Sequence, residues 1–129
     1  MEQAERNEFI AQPHTAVLAT LWSQGRVHAV PVWYLYEDGV FMVITERGSQ
    51  KHRNAIKSGR ATLCVDERDG LFRSVTVEGP VEVVDQVSYE QRLALHRHYR
   101  SDEAARAIVD RGGHEKMVML LLTPERWIG

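Results

Sequence analysis

The sequence predicts a mainly β fold of the α+β kind, six antiparallel strands wound into a barrel with short helices at its periphery. Three observations carry this expectation. Six apolar or alternating segments recur at short spacing, and turn signals join the first three. The helical stretches are too few and too short to alternate with strands as βαβ units. Closure into a barrel removes the sheet edges that so small a β unit would otherwise expose.

Taken in order, "EQAERNEFIA" reads as a short helix that must end before Pro13, because proline disfavours helix in the residue preceding it. "TAVLATLW", the turn "SQG" and "RVHAVPVWYLY" form a hairpin, with Gly25 supplying the permissive backbone. Pro31 cannot donate to a strand ladder and marks an edge, a bulge or a place where something other than a strand approaches. "EDG" turns into "VFMVIT", so the first three strands read as a meander. A helix follows in "SQKHRNAIKSG", with Ser49 as cap and Gly59 as stop. Then come "RATLCVDE" and "FRSVTVEGPVEVVD", the latter long enough to bend at Gly79-Pro80. Ser88 and Gln91 make a capping box for "YEQRLALHRHYR". A further helix, "DEAARAIVDR", leads to the sixth strand, "KMVMLLLT", and the tail "ERWIG".

A chain of 129 residues suits a single domain spanning 1–129. Its 43% hydrophobic and 26% charged residues are ordinary for a soluble globular protein. One cysteine, Cys64, excludes an internal disulfide and a cysteine-built zinc site, and its place in an alternating strand suits core packing. Without a basic-then-apolar leader or a run of ~18 apolar residues, a cytoplasmic protein with no membrane span is expected. There is no G-x-G-x-x-G, no G-x-x-x-x-G-K-[ST] and no H-E-x-x-H. The six histidines are scattered, so no metal site is expected, and no serine sits in a strained elbow.

The informative stretch is "TERGSQKHRN". From Arg47 to Arg60 the residues Arg47, Lys51, Arg53, Lys57 and Arg60 sum to +5 with no acid, in a chain of net charge −2. A strand ends at the Thr45 hydroxyl, Gly48 turns, and Ser49 and Lys51 open a helix. Free backbone N–H groups and the positive end of the helix dipole favour an anion there. The residues alone leave open a solvated helix face with Ser49 as a plain cap, a phosphate site, or a nucleic-acid surface. The last is disfavoured because one short basic helix lacks aromatic interleaving.

With these residues in place, "AVLATL…G…VPVWY", "TERGSQKHRNAIKSGRATLCVD" and "VTVEGPVEV" resemble the pyridoxamine 5′-phosphate oxidase-like split β-barrel proteins. More narrowly, the chain resembles the small flavin- and deazaflavin-dependent oxidoreductases of actinobacteria. The likeness runs from about Thr15 to Val84, with a weaker echo in "TPERWIG". It implies a Greek-key split barrel and a homodimer with cofactor sites in clefts between subunits. By position, Thr45, Ser49 and Lys51 match the residues that hold the cofactor phosphate, and Asn54 one that supports the loop. Val30, Pro31, Val32 and Trp33 match the strand lying along the tricyclic ring. Arg73 and Ser74 match a region that reaches the cofactor from the partner subunit. Two departures disfavour a vitamin B6-phosphate oxidase. Gln50 stands where those enzymes place an arginine, and the chain stops at Gly129 before their substrate-gripping segment.

The resemblance leaves two cofactors. Flavin mononucleotide (FMN) carries a phosphate monoester, close to a dianion, and favours several cations around it. The deazaflavin coenzyme F-420 carries a monoanionic phosphodiester followed by an acidic oligoglutamate tail. Gln50 removes a cation where the monoester would want one, while Arg47, Arg53, Lys57 and Arg60 offer charge further out for a tail. The expectation is therefore hydride transfer from reduced F-420 to a planar conjugated acceptor such as a quinone, enone or tetrapyrrole, with an FMN protein as the alternative. His28 and Tyr34, on one face of their strand, are the candidates for a proton donor. A non-enzymatic flavin, deazaflavin or haem binder would present the same residues.

Overall fold

The chain breaks direction inside the segment expected to be one strand, and that break organises the sheet. In the computed structural model, which describes residues 1–70 and 72–129, "RVHAVPVWYLY" is divided at Trp33-Tyr34 into β2 (Val27–Val32) and β3 (Leu35–Glu37). β1 (Ala16–Leu21) pairs with β2, whereas β3 pairs with β4 (Val40–Glu46). With β5 (Arg60–Asp66), β6 (Ser74–Val84) and β7 (Met117–Leu122), the strand order is β2-β1-β5-β6-β7-β4-β3, and the two halves lie at its opposite ends. The expected meander of three adjacent strands is thus corrected to two separated hairpins. The strand count is corrected too, from six to eight among the described residues. The other added strand is β8 (Arg126–Ile128), read from sequence as a tail, which pairs with β6.

β6 (Ser74–Val84) joins the two halves by changing partners along its length. Residues 74–80 pair with β5 (Arg60–Asp66), and Val81 to Val84 pair with β7 (Met117–Leu122). The switch falls at Gly79-Pro80, where the Pro80 carbonyl accepts the Thr123 N–H at 3.1 Å and the Glu78 carbonyl accepts that of Glu125 at 2.9 Å. Gly79 is buried, and a Cβ there would overlap the Thr123 carbonyl oxygen. The absence of a side chain, rather than turn conformation, is what this position requires.

Alternation along the strands sorts the two faces. Inward go Leu18, Leu63, Val77 and Leu120, joined by Phe9 and Ile10 of α1 (Gln3–Ile10). Outward, the cross-strand partners Pro31, Val17, Cys64, Thr76 and Ile128 form one row across five strands. Leu21 and Val27 form another apolar pair on that face, Val27 being 64% exposed.

The helices form where their caps predict. In α2 (Gln50–Ser58) the Ser49 hydroxyl accepts the His52 N–H at 3.4 Å, and Gly59 ends the helix at φ 69°. The capping box of α3 (Tyr89–Tyr99) is complete, with Ser88 Oγ accepting the Gln91 N–H at 3.1 Å and Gln91 Oε1 accepting the Ser88 N–H at 2.8 Å. α4 (Asp102–Val109) packs on α3 through Leu93, Ala105 and Val109. The last residue of α3, Tyr99, reaches the break between β2 and β3. Its hydroxyl accepts the Tyr34 N–H at 3.1 Å and donates to the His14 carbonyl at 2.7 Å.

Gly79→Ala is expected to destabilise the fold by about 2–3 kcal/mol, the scale of an overpacked interior site. Urea unfolding measures this, and a midpoint shift corresponding to under about 0.5 kcal/mol would show that the Thr123 segment is not clamped against β6.

Candidate functional site

A cleft of about 420 Å³ opens where the broken strand, the start of α2 and the inner face of α3 converge. Its size falls within the range typical of small-molecule and cofactor sites, ~300–1,000 Å³. One wall is the end of β2, with Pro31, Val32 and Trp33. β2 is the terminal strand of the sheet, so Pro31 sits on an edge, where a missing N–H costs nothing. The Trp33 ring is stacked on Tyr99, with centroids 4.3 Å apart and planes at 2°, and the Arg100 guanidinium lies 4.8 Å from its centroid.

The second wall carries the polar donors. Thr45 Oγ1 and Ser49 Oγ are 3.1 Å apart, and Lys51 joins them in lining the cleft. The Arg53 amide is the first of α2 to reach a helix carbonyl, that of Ser49 at 3.0 Å. The amides of Gln50 and Lys51 come before it and have no carbonyl within the helix to bond. Two hydroxyls, an ammonium and a helix N-terminus converge, which is the donor set an oxygen anion needs.

The third wall, from α3, holds Arg92, Leu95 and His96. None of these was singled out from sequence. Arg92 is buried and donates to the Gly112 carbonyl at 2.8 Å. It forms no ion pair among the described residues. A signal was present in the sequence: no acid stands three or four residues from Arg92 on its helix. His96 meets the Trp33 ring edge-on at 6.3 Å, and its Nδ1 is buried without a hydrogen-bond partner among the described residues. Burial, then the nearby charges of Arg92 and Arg100, push its pKa down from the usual 6.5. Ile44, Glu46 and Met117 complete the lining.

Of the residues picked from sequence, Pro31, Val32, Trp33, Thr45, Ser49 and Lys51 meet in this cleft. Others stand behind it. Buried Asn54 donates to Thr20 Oγ1 at 3.0 Å and accepts from Gln50 Nε2 at 2.6 Å, tying α2 to β1. Gln50 Oε1 in turn accepts from Arg53 at 2.6 Å. Val30 packs against the core. Arg73 pairs with Glu67 at 3.3 Å and covers the Phe9 ring, and Ser74 is exposed at the start of β6. Neither of these two lines the cleft. His28 lies opposite Thr20 in the β1–β2 ladder and meets Trp22 edge-on. Tyr34 is fully buried, its hydroxyl donating to the Ile10 carbonyl at 2.7 Å, and burial raises its pKa. Its hydroxyl is committed to the core. The outer cations are also sorted: Arg47 pairs with Asp85 at 3.9 Å and Arg60 with Glu125 at 2.7 Å, while Lys51, Arg53 and Lys57 form no ion pair among the described residues.

Among the described residues no metal-ligating cluster occurs, and no helix is long and apolar enough to cross a membrane. Residues 3–129 match the family model described as pyridoxamine 5′-phosphate oxidase. No match is found among the curated proteins. Among solved structures, the conserved hypothetical protein Rv2991 from Mycobacterium tuberculosis superposes with a TM-score of 0.82 at 26% identity, over 98% of this chain and 82% of that one. An F420 reductase superposes at 0.77 with 19% identity, over 95% and 94% of the two chains. HutZ, the heme storage protein from Vibrio cholerae, superposes at 0.72 with 17% identity, over 98% and 92%. The last two likenesses show the shared fold.

The depressed His96 pKa has a defined sign in stability. As pH falls through the ordinary histidine range, the unfolded chain takes up this proton before the folded protein does. The group's contribution is therefore full above that range and is lost as pH falls. An imidazole NMR titration is expected to place the His96 midpoint below 6.5, and Arg92→Gln should raise it by removing one neighbouring charge. A midpoint that ignores Arg92→Gln would separate the two side chains electrically.

Proposed function

The chain belongs to the pyridoxamine 5′-phosphate oxidase family, and from that premise we propose that it is an oxidoreductase that holds a flavin-type cofactor in the Pro31–Lys51 cleft. The observation that supports this most directly is the meeting of Thr45, Ser49 and Lys51 beside the Trp33 wall, a phosphate cradle next to a flat surface. The donor chemistry fits such a group. Thr45 Oγ1, Ser49 Oγ, the Lys51 ammonium and the first amides of α2 would bind the phosphate, and Pro31 to Trp33 would lie along the ring. When bound, the reduced cofactor supplies the hydride. The protein orients it toward a planar conjugated acceptor and shields the two from water. Asn54 acts as a brace, fixing the first turns of α2 to β1 through Gln50 and Thr20.

The preferred cofactor in this reading is the deazaflavin F-420, with its hydride going to a quinone, enone or tetrapyrrole type of acceptor. Gln50 brings no charge to the cradle but holds the Arg53 guanidinium at 2.6 Å. Arg53 and the exposed Lys57 then form the track for an acidic tail. FMN is the second reading, and one observation favours it. Arg47 and Arg60 already face Asp85 and Glu125, which halves the outer charge available to a tail. Each exposed contact contributes only about 0–1 kcal/mol.

Spectroscopic titration with F-420 and with FMN tests the assignment. F-420 should bind the more tightly, and Lys51→Ala should weaken binding by about 10- to 150-fold, equivalent to roughly 1.5–3 kcal/mol for a charge-assisted hydrogen bond. Wild-type protein that takes up neither cofactor would remove the proposal, and tighter FMN binding would select the second reading. Sustained turnover with an acceptor distinguishes an enzyme from a carrier.

A homodimer belongs to the same proposal. The apolar row through Pro31, Val17 and Ile128, with Leu21 and Val27, is a face suited to a second copy. Arg73 and Ser74 would reach the partner's cleft from there. Light scattering at micromolar protein should give twice the mass of the 14.8 kDa chain. Val17→Asp combined with Val27→Asp should give monomers with weakened cofactor binding. A monomeric wild type would count against the shared site.

A further inference from the structure

The α3 wall of the cleft is chemically separate from the phosphate cradle. Arg92 is 7% exposed and spends one N–H on the Gly112 carbonyl at 2.8 Å. It has no carboxylate partner among the described residues. A guanidinium has five donors, and a buried one without a counter-charge is costly unless an anion joins it. The residue lines the cleft, so that anion can come from a ligand. Among the described residues Glu46 is the one carboxylate in the lining, and it is exposed and unpaired with Arg92.

His96 stands one helical turn beyond Arg92, about 6 Å along the axis, so the two present to the same face. Its ring meets Trp33, and its Nδ1 is a buried polar atom without a partner among the described residues. The wall therefore offers a fixed cation and an imidazole beside the aromatic surface. We propose that Arg92, with His96 as neighbour, forms an acid-binding subsite for the acceptor, so that the substrate is a planar conjugated compound bearing a carboxylate. This rests on the oxidoreductase reading above and narrows its substrate class. The guanidinium fork pairs with both carboxylate oxygens, and Leu95 between the two residues gives the apolar contact for the adjoining ring system.

Calorimetric titration with 2-naphthoate and with its uncharged counterpart 2-naphthamide tests the subsite on protein presaturated with whichever cofactor binds, or on the chain alone if neither does. Wild type should prefer 2-naphthoate by at least about tenfold, the scale of one charge-assisted pair. Arg92→Gln should abolish the preference, Arg92→Lys should keep part of it, and cofactor affinity should stay within about twofold in both, far less than one such pair is worth. Circular dichroism melts of the two variants control for the loss of the Gly112 contact. Equal affinity of wild type for the two probes overturns the proposal. So does an Arg92→Gln variant that keeps the preference but loses cofactor, which would move Arg92 into the cradle. Failure of cofactor binding in wild type removes the oxidoreductase reading, whereas the naphthoate preference reads Arg92 independently.

Discussion

The Tyr99 hydroxyl at the broken strand is the contact on which the rest of the arrangement depends. Where β2 gives way to β3, the Tyr34 N–H leaves the sheet ladder, and Tyr99 accepts it at 3.1 Å while donating to His14 at 2.7 Å. A buried donor left unpaired would cost about 1–3 kcal/mol, so the break is stable only with α3 docked against it. That docking stacks Tyr99 on Trp33 and swings Arg92, Leu95 and His96 over the cleft. One hydroxyl thus divides the sheet into two hairpin ends and closes the third wall of the site. Burial raises the Tyr99 pKa, keeping the hydroxyl protonated and able to donate.

The cleft joins walls of different chemistry because three chain segments distant in sequence meet there. β2 supplies a flat edge, the β4–α2 junction supplies anion donors, and α3 supplies a buried cation. Behind them, the Thr20–Asn54–Gln50–Arg53 chain of hydrogen bonds transmits the position of β1 to the first turn of α2. The Asn54–Thr20 bond of this chain is buried, where a hydrogen bond is electrostatically stronger than in water. The charge carried by α2 and its flanks is likewise divided, with Arg47 and Arg60 neutralised by neighbours and Lys51 turned to the cleft.

The sheet manages its opposite face differently. Alternation sends Leu18, Leu63 and Val77 inward, and the same period leaves Val17, Cys64 and Ile128 outward in register across the strands. Cys64 is therefore half-buried on the outer row and not in the core that its strand pattern suggested. A strand apolar on both faces reads as strand from sequence but does not say which face meets the core.

Local signals in the sequence determined local structure. Ser49 with Gly59, and Ser88 with Gln91, set the ends of α2 and α3, because a cap needs only residues three or four apart. That Thr45, Ser49 and Lys51 come together was legible for the same reason, all three lying within one strand–loop–helix junction. The pairing order was not. β2 and β3 separate because Tyr99, 65 residues from Tyr34, takes over a ladder bond, and no local pattern encodes that partner. The tail became β8 because Trp127 finds the core and Arg6 covers its ring at 3.8 Å, contacts made between the two ends of the chain. Arg92 was not among the residues singled out from the sequence. Only tertiary packing, which buries it against the Gly112 carbonyl without an ion-pair partner among the described residues, brought it to the cleft.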